Sequence, residues 1–153
     1  MNKKNSAGIL LYRWYQEKEL QVFLVHTGGP YGWYKDKGSW SIPKGEFKEN
    51  DNVFYSALRE FREETGIDLP NICYKFLGKH DQNPQKTVFI WASEYNYDIN
   101  EIKSNTFTME WPKNSGQIKE FPEVDKGRWF NIEEAKEKII KGQVYFLERL
   151  KNE

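Results

Sequence analysis

Residues 6–14 (SAGILLYRW) form an aliphatic and aromatic run between polar flanks, which reads as a β-strand. Residues 20–26 (LQVFLVH) read as its hairpin partner across the charged turn QEKE. The stretch 27–38, TGGPYGWYKDKG, is turn-rich and reads as a loop. Residues 39–44 (SWSIPK) read as one short strand that Pro43 ends. The apolar period then lengthens to that of a helix. Val53, Phe54, Ala57, Leu58 and Phe61 make one stripe facing a core, Asp51 or Asn52 stands before it as a cap, and Gly66 follows it as a left-handed stop. Residues 73–79 and 87–95 read as further strands, and 98–116 as irregular with room for a short strand before Pro112. Residues 127–130 read as a last strand. Asn131, with Glu134 three positions on, makes a capping box for a second helix whose apolar face is Ile132, Ala135, Ile139 and Ile140. Gly142 breaks that helix, and residues 144–150 make a terminal helical turn or two. No repeat, low-complexity tract or linker interrupts the chain, so the pattern predicts one α+β domain over residues 1–153.

Length agrees, since 153 residues suffice to bury a substantial core. The 23 basic and 23 acidic residues cancel, so neither nucleic acid nor a membrane surface is an expected partner. No apolar run approaches the ~18 residues of a membrane span, and the start of the chain lacks a signal-type apolar stretch. A soluble, cytoplasmic domain is the expectation. The single Cys73 excludes an intrachain disulfide and reads as a small buried hydrophobe. His26 and His80 stand alone, without metal spacing, and receive no role.

The chemistry concentrates in residues 45–67, GEFKENDNVFYSALREFREETGI. Glu60, Glu63 and Glu64 fall on one side of the helix, as i, i+3 and i+4 neighbours do. Three adjacent like charges repel, and a plain surface helix gains nothing from them. A hard divalent cation such as Mg²⁺ takes oxygen ligands of this type, usually together with substrate phosphates. Taken alone, REFREE would read as a solvated helix face; the flanking residues argue otherwise.

Gly45, Arg59, Glu60, Phe61, Glu63, Glu64, Gly66 and Ile67 stand at the spacing of the Nudix box, with Asp51 where that box has Glu. The chain therefore resembles the Nudix hydrolases. Ser6-Ala7-Gly8, the Pro43-Lys44-Gly45 lead-in and Pro122-Glu123 ahead of Trp129 also resemble that family. Similarity extends to a bacterial subgroup of predicted nucleoside triphosphate pyrophosphohydrolases and to diadenosine polyphosphate hydrolases. The resemblance implies an α/β/α sandwich with a mixed sheet between helices. It implies Mg²⁺-dependent cleavage of a pyrophosphate bond in a small-molecule nucleotide, with Mn²⁺ as the alternative ion. A nucleoside triphosphate or dinucleoside polyphosphate leads the substrates, with ADP-ribose or another nucleotide derivative behind; the rival is a non-catalytic nucleotide sensor.

Carried over by position, Glu60, Glu63, Glu64 and the Gly45 carbonyl are the implied metal ligands, and Glu60 and Glu63 are also implied in catalysis. Arg59 is implied to orient neighbouring glutamates. Glu123 is the general-base candidate outside the box, with Glu120 next. Lys44 reads either as a phosphate contact or as an exposed strand end. Trp33 and Trp111, with Tyr31 and Tyr34, are candidates to stack on a base, against packing as the plainer reading. Lys35 and Lys37 read as a polyphosphate attractant or an ordinary solvated loop.

Overall fold

A computed structural model describes residues 3–31 and 35–152. Its centre is a mixed sheet in the order β3-β2-β1-β6-β5, with β4 also on β1 and β9 also on β2. The strands are β1 (Lys4–Tyr15), β2 (Glu19–Thr27), β3 (Trp40–Ser41), β4 (Lys44–Glu46), β5 (Lys75–Asn83), β6 (Lys86–Glu94) and β9 (Val124–Asn131). β1 runs parallel to β6 and antiparallel to β2 and β4.

Strand alternation sorts side chains to two faces. Ala7, Ile9 and Leu11 of β1, with Phe23 and Val25 of β2, pack on helix α1 (Val53–Thr65) through Ala57 and Phe61. Leu10, Val22 and Leu24 face the other way, onto α2 (Ile132–Lys138) and α3 (Val144–Lys151) through Ala135, Phe146, Leu147 and Leu150. The result is an α/β/α sandwich, and β1 and β2 read as continuous apolar runs because both their faces are covered. No helix among the described residues is long and apolar enough to cross a membrane.

Several expectations change. The single strand over 39–44 is two: β3 pairs with β2, the chain crosses at Ile42–Pro43, and β4 pairs with β1. Proline lacks the N–H that a continuing ladder needs, while its carbonyl accepts from Ile9 N at 3.2 Å. The crossing is tight enough that a β-carbon on Gly8 would sit 2.4 Å from the Pro43 oxygen. Buried Gln143 supports it, accepting from Ile42 N at 2.9 Å and donating to Ser41 Oγ and Gln82 Oε1. The irregular region holds the expected short strand, β7 (Thr106–Glu110), which forms a separate hairpin with an unexpected strand just beyond that region, β8 (Ile118–Pro122). Cys73 is exposed, not buried. It lies ahead of β5, where its backbone carbonyl accepts from Ser93 Oγ at 2.6 Å.

Candidate active site

α1 is fixed at both ends. Asn52, not Asp51, supplies the cap, accepting from Tyr55 N at 2.9 Å. Asp51 instead closes the preceding turn, its carboxylate accepting from Lys48 N at 2.9 Å. At the far end Gly66, at φ 77°, returns its N–H to the Arg62 carbonyl. Two more terminal carbonyls are met from the irregular stretch: Asn105 N donates to Glu63 O at 2.7 Å and Lys103 N to Thr65 O at 2.8 Å. Glu123 N donates to Asn105 O at 2.9 Å. That chain of bonds brings Glu123, sixty residues on in sequence, beside Glu63.

The three box glutamates are half-buried at the border of the apolar stripe. Glu60 lies against Gly45 so closely that an ideal β-carbon there would be 1.8 Å from its Oε2. Arg59 Nη2 donates to Glu60 Oε1 at 3.2 Å. Lys44 N donates to Glu64 Oε1 at 3.2 Å. Lys44 is no exposed strand end: burial, then the charge of Lys86, push its ammonium down to about 8.

The carboxylates carry the mark of crowded negative charge. Burial foremost, with smaller contributions from Glu123 and Glu60, pushes Glu64 up to about 8. Burial and then Glu63 raise Glu60, against the pull of Arg59. Glu123 is exposed on one side, yet partial burial and the charge of Glu63 hold it above the usual carboxylate range. Partly buried carboxylates that also repel one another suit a hard divalent cation, which would offset that repulsion. Among the described residues no three His, Cys, Asp or Glu side chains form a finished ion cage. The glutamates are arrayed along the helix edge, with Glu60 drawn to Arg59.

Beside this patch opens an apolar pocket of about 320 Å³, lined on one side by Thr27, Gly28, Gly29 and Tyr31 and on the other by Phe107 and Met109 of β7. Gly28 N donates to Glu123 O at 2.9 Å, which joins the pocket to the carboxylates. Tyr31 and Lys35 line it. Trp111 does not; its ring meets Tyr31 edge-on at 5.3 Å. Trp33 and Tyr34 lie outside the described residues. Glu120 is exposed on β8, opposite Thr108. Phe107 and Met109 were not anticipated, although their alternation in TFTME is a strand signal that places both on one face.

A sequence profile of the NUDIX domain matches residues 3–150. Nudix hydrolase 5 of Arabidopsis thaliana is 28% identical over 104 residues, which are 67% of this chain and 30% of the relative. The chain spans about a third or less of the length of the curated relatives it matches. Among solved structures, a binary complex of the Ap4A hydrolase of C. elegans aligns with a TM-score of 0.65 at 18% identity, covering 97% of this chain and 96% of the other. The NUDIX domain of Shewanella oneidensis NrtR, complexed with ADP ribose, aligns with a TM-score of 0.63 at 16% identity, covering 99% and 88%. Both likenesses are of fold. The profile covers nearly the whole chain. The chain belongs to the NUDIX domain family.

Proposed function

We propose that this chain hydrolyses a pyrophosphate bond in a nucleoside diphosphate-linked substrate, most readily a nucleoside triphosphate or dinucleoside polyphosphate, with Mg²⁺ or alternatively Mn²⁺ bound. One observation carries the reading: Glu60, Glu63, Glu64 and Glu123 form a single patch of mutually repelling carboxylates beside Gly45. The Gly45 carbonyl, Glu60, Glu63 and Glu64 would hold the ion. When bound, it would supply positive charge to offset the negative charge developing on the phosphate oxygens.

The remaining work falls to side chains. Arg59 keeps the Glu60 carboxylate turned along the helix edge. The Lys44 N–H, with its ammonium behind, holds Glu64 in place. Glu123 takes the proton of the attacking water as the water oxygen bonds to phosphorus and the bridging P–O bond breaks, its electron pair leaving on the oxygen of the departing phosphate. The nucleobase of the substrate would enter the apolar pocket that Tyr31 and Phe107 line. A sensor without catalysis would have no use for the carboxylates, and all of them are present.

The test is a hydrolysis screen over nucleoside triphosphates, dinucleoside polyphosphates, nucleotide sugars and ADP-ribose, with and without Mg²⁺, alongside Glu64→Gln. ADP-ribose belongs in it because the NrtR domain shares this fold with that compound bound. Activity that needs the ion and collapses in the variant supports the proposal. Rates indifferent to divalent ions overturn it.

A further inference from the structure

Glu123 stands where β9 is irregular. His26 pairs with Lys126 and Thr27 with Val124, so Asp125 is an extra residue on β9, a β-bulge. Alternation alone would put Val124 on the face opposite to Trp129. The bulge reverses this, and Val124 is buried on the α1 side with Phe23 and Val25. Bulges re-aim neighbouring side chains but break the ladder locally, so the backbone at Glu123 needs other ties. On one side Gly28 lies against the Pro122–Glu123 peptide. Its N–H donates to Glu123 O at 2.9 Å, and a β-carbon on it would come within 2.1 Å of the Pro122 oxygen. On the other side the segment 103–105 is seated on the last turn of α1. Gly66 leaves room for it, since a β-carbon there would be 2.9 Å from the Lys103 oxygen. Asn105 O accepts from Glu123 N at 2.9 Å. Ser104 makes the next tie with its side chain. Its Oγ accepts from Val124 N at 3.1 Å, and its one proton has Asn105 O at 2.8 Å or Val124 O at 3.1 Å as acceptor. Lys103 and Asn105 act here through backbone atoms that other residues also supply; at Ser104 the side chain itself is the tie.

We propose that Ser104 is a positioning residue for Glu123, its hydroxyl pinning the bulged strand so that the carboxylate stays beside Glu63. This inference rests on Glu123 being the general base. Ser104 lines no part of the apolar pocket, so it acts on the turnover of bound substrate and not on binding. Without the hydroxyl the N–H of buried Val124 loses its partner. An unpaired buried donor is costly, and the bulge then relaxes at the residue next to the base.

A double-mutant cycle tests it, with a nucleoside triphosphate at saturating Mg²⁺. Ser104→Ala should lower kcat about 10–10²-fold, as a misplacement on the order of 1 Å does. KM and the Mg²⁺ concentration for half-maximal rate should stay within about twofold of the parent. Ser104→Thr keeps the hydroxyl and should recover most of the loss. In a Glu123→Gln background, Ser104→Ala should cost less than about threefold more, because the group it positions is gone. The full loss in that background, or parent kcat in folded Ser104→Ala, overturns the positioning role and leaves Glu123 as base. If Glu123→Gln itself keeps the parent kcat, the general-base reading fails and the positioning role with it. Amide hydrogen exchange in metal-free protein gives a readout independent of turnover. The Val124 amide should be protected in the parent and in Ser104→Thr, and should exchange about tenfold faster in Ser104→Ala. A Val124 amide that exchanges as fast as an open loop in the parent overturns the proposal, whatever the variants do.

Discussion

The Glu60 carboxylate occupies the space that a β-carbon on Gly45 would fill, 1.8 Å from its ideal position. Glycine in the middle of β4 and glutamate on the helix are therefore one fitted pair. Gly45→Ala must push Glu60 off the Gly45 backbone and away from Arg59. A displacement of about 1 Å at a reacting centre costs on the order of 10²-fold in rate. The variant should lose about that much kcat/KM and need more Mg²⁺ for half-maximal activity, with its far-ultraviolet circular dichroism unchanged. Full activity would show that the close fit has no bearing on the chemistry.

Glu64 and Lys44 are half-buried together, and burial drives their pKa values toward each other, the carboxyl up to about 8 and the ammonium down to about 8. A carboxyl raised in the folded state gives the folded chain the extra proton. Its contribution is intact below the unfolded carboxylate range and is lost as pH rises toward about 8. Glu64→Gln keeps an oxygen for Lys44 N–H and has no charge to bury. In metal-free buffer at about pH 8 its Tm should exceed the parent's by roughly 2–4 °C, the shift that about 1 kcal/mol produces in a chain of this size. Hydrolysis should fall about 10²-fold or more, since the charge is lost from the electrostatic centre of the site. A variant that is both less stable and still active would reverse the assignment.

The Nudix-box helix was legible because its signals are local. The stripe from Val53 to Phe61, the Asn52 cap and the Gly66 stop all lie within one stretch, and periodicity reports them directly. The glutamates were legible for the same reason. Partner changes were not. Nothing near Ile42–Pro43 says that the chain leaves β2 for β1, because that choice is made by Gly8 and Gln143, far away in sequence. β8 was hidden by its composition, IKEFP, in which Phe121 alone is buried. The pocket was hidden by its construction, with Tyr31 and Phe107 separated by a long stretch of chain that only the fold closes. Local order was readable; long-range pairing was not.

Glu123 is tied to Glu63 by charge and, through Asn105, by backbone. A base must be ionised to take a proton, so a raised pKa moves the ascending limb of kcat/KM above the ordinary carboxylate range. Glu63→Gln removes one of the two causes. In metal-free protein, the ¹³C-carboxyl titration of Glu123 should move to lower pH in that variant. Glu123→Gln should lower kcat by about 10²–10⁴-fold with Mg²⁺ affinity nearly unchanged. Collapse of Mg²⁺ affinity instead would make Glu123 a ligand.

Gln143 separates stability from chemistry. Its buried amide is the partner of Ile42 N, Ser41 Oγ and Gln82 Oε1. Gln143→Leu strands the Ile42 N–H in the core, at a cost of about 1–3 kcal/mol. Thermal unfolding should begin several degrees lower, at roughly 2–4 °C per kcal/mol. Well below that temperature kcat should stay close to the parent value. An unchanged Tm would mean that the crossing at Ile42–Pro43 does not depend on this side chain.

Phe107 and Trp111 stand close in sequence and differ in what they touch. Phe107 lines the pocket and lies under Gly29, where a β-carbon would come within 2.8 Å of its ring. Trp111 touches Tyr31 from the side and does not line the pocket. If a base stacks there, Phe107→Ala removes a face of the pocket and should raise KM for a purine nucleoside triphosphate about tenfold, within the range of base–aromatic stacking. Trp111→Ala acts only through Tyr31, and its effect should be smaller, about threefold, as for loss of one edge-to-face pair. Bare tripolyphosphate should be handled equally by both variants and the parent. The order of the two effects is the critical reading: a larger loss in Trp111→Ala would put the base outside this pocket, against the face of Trp111 itself.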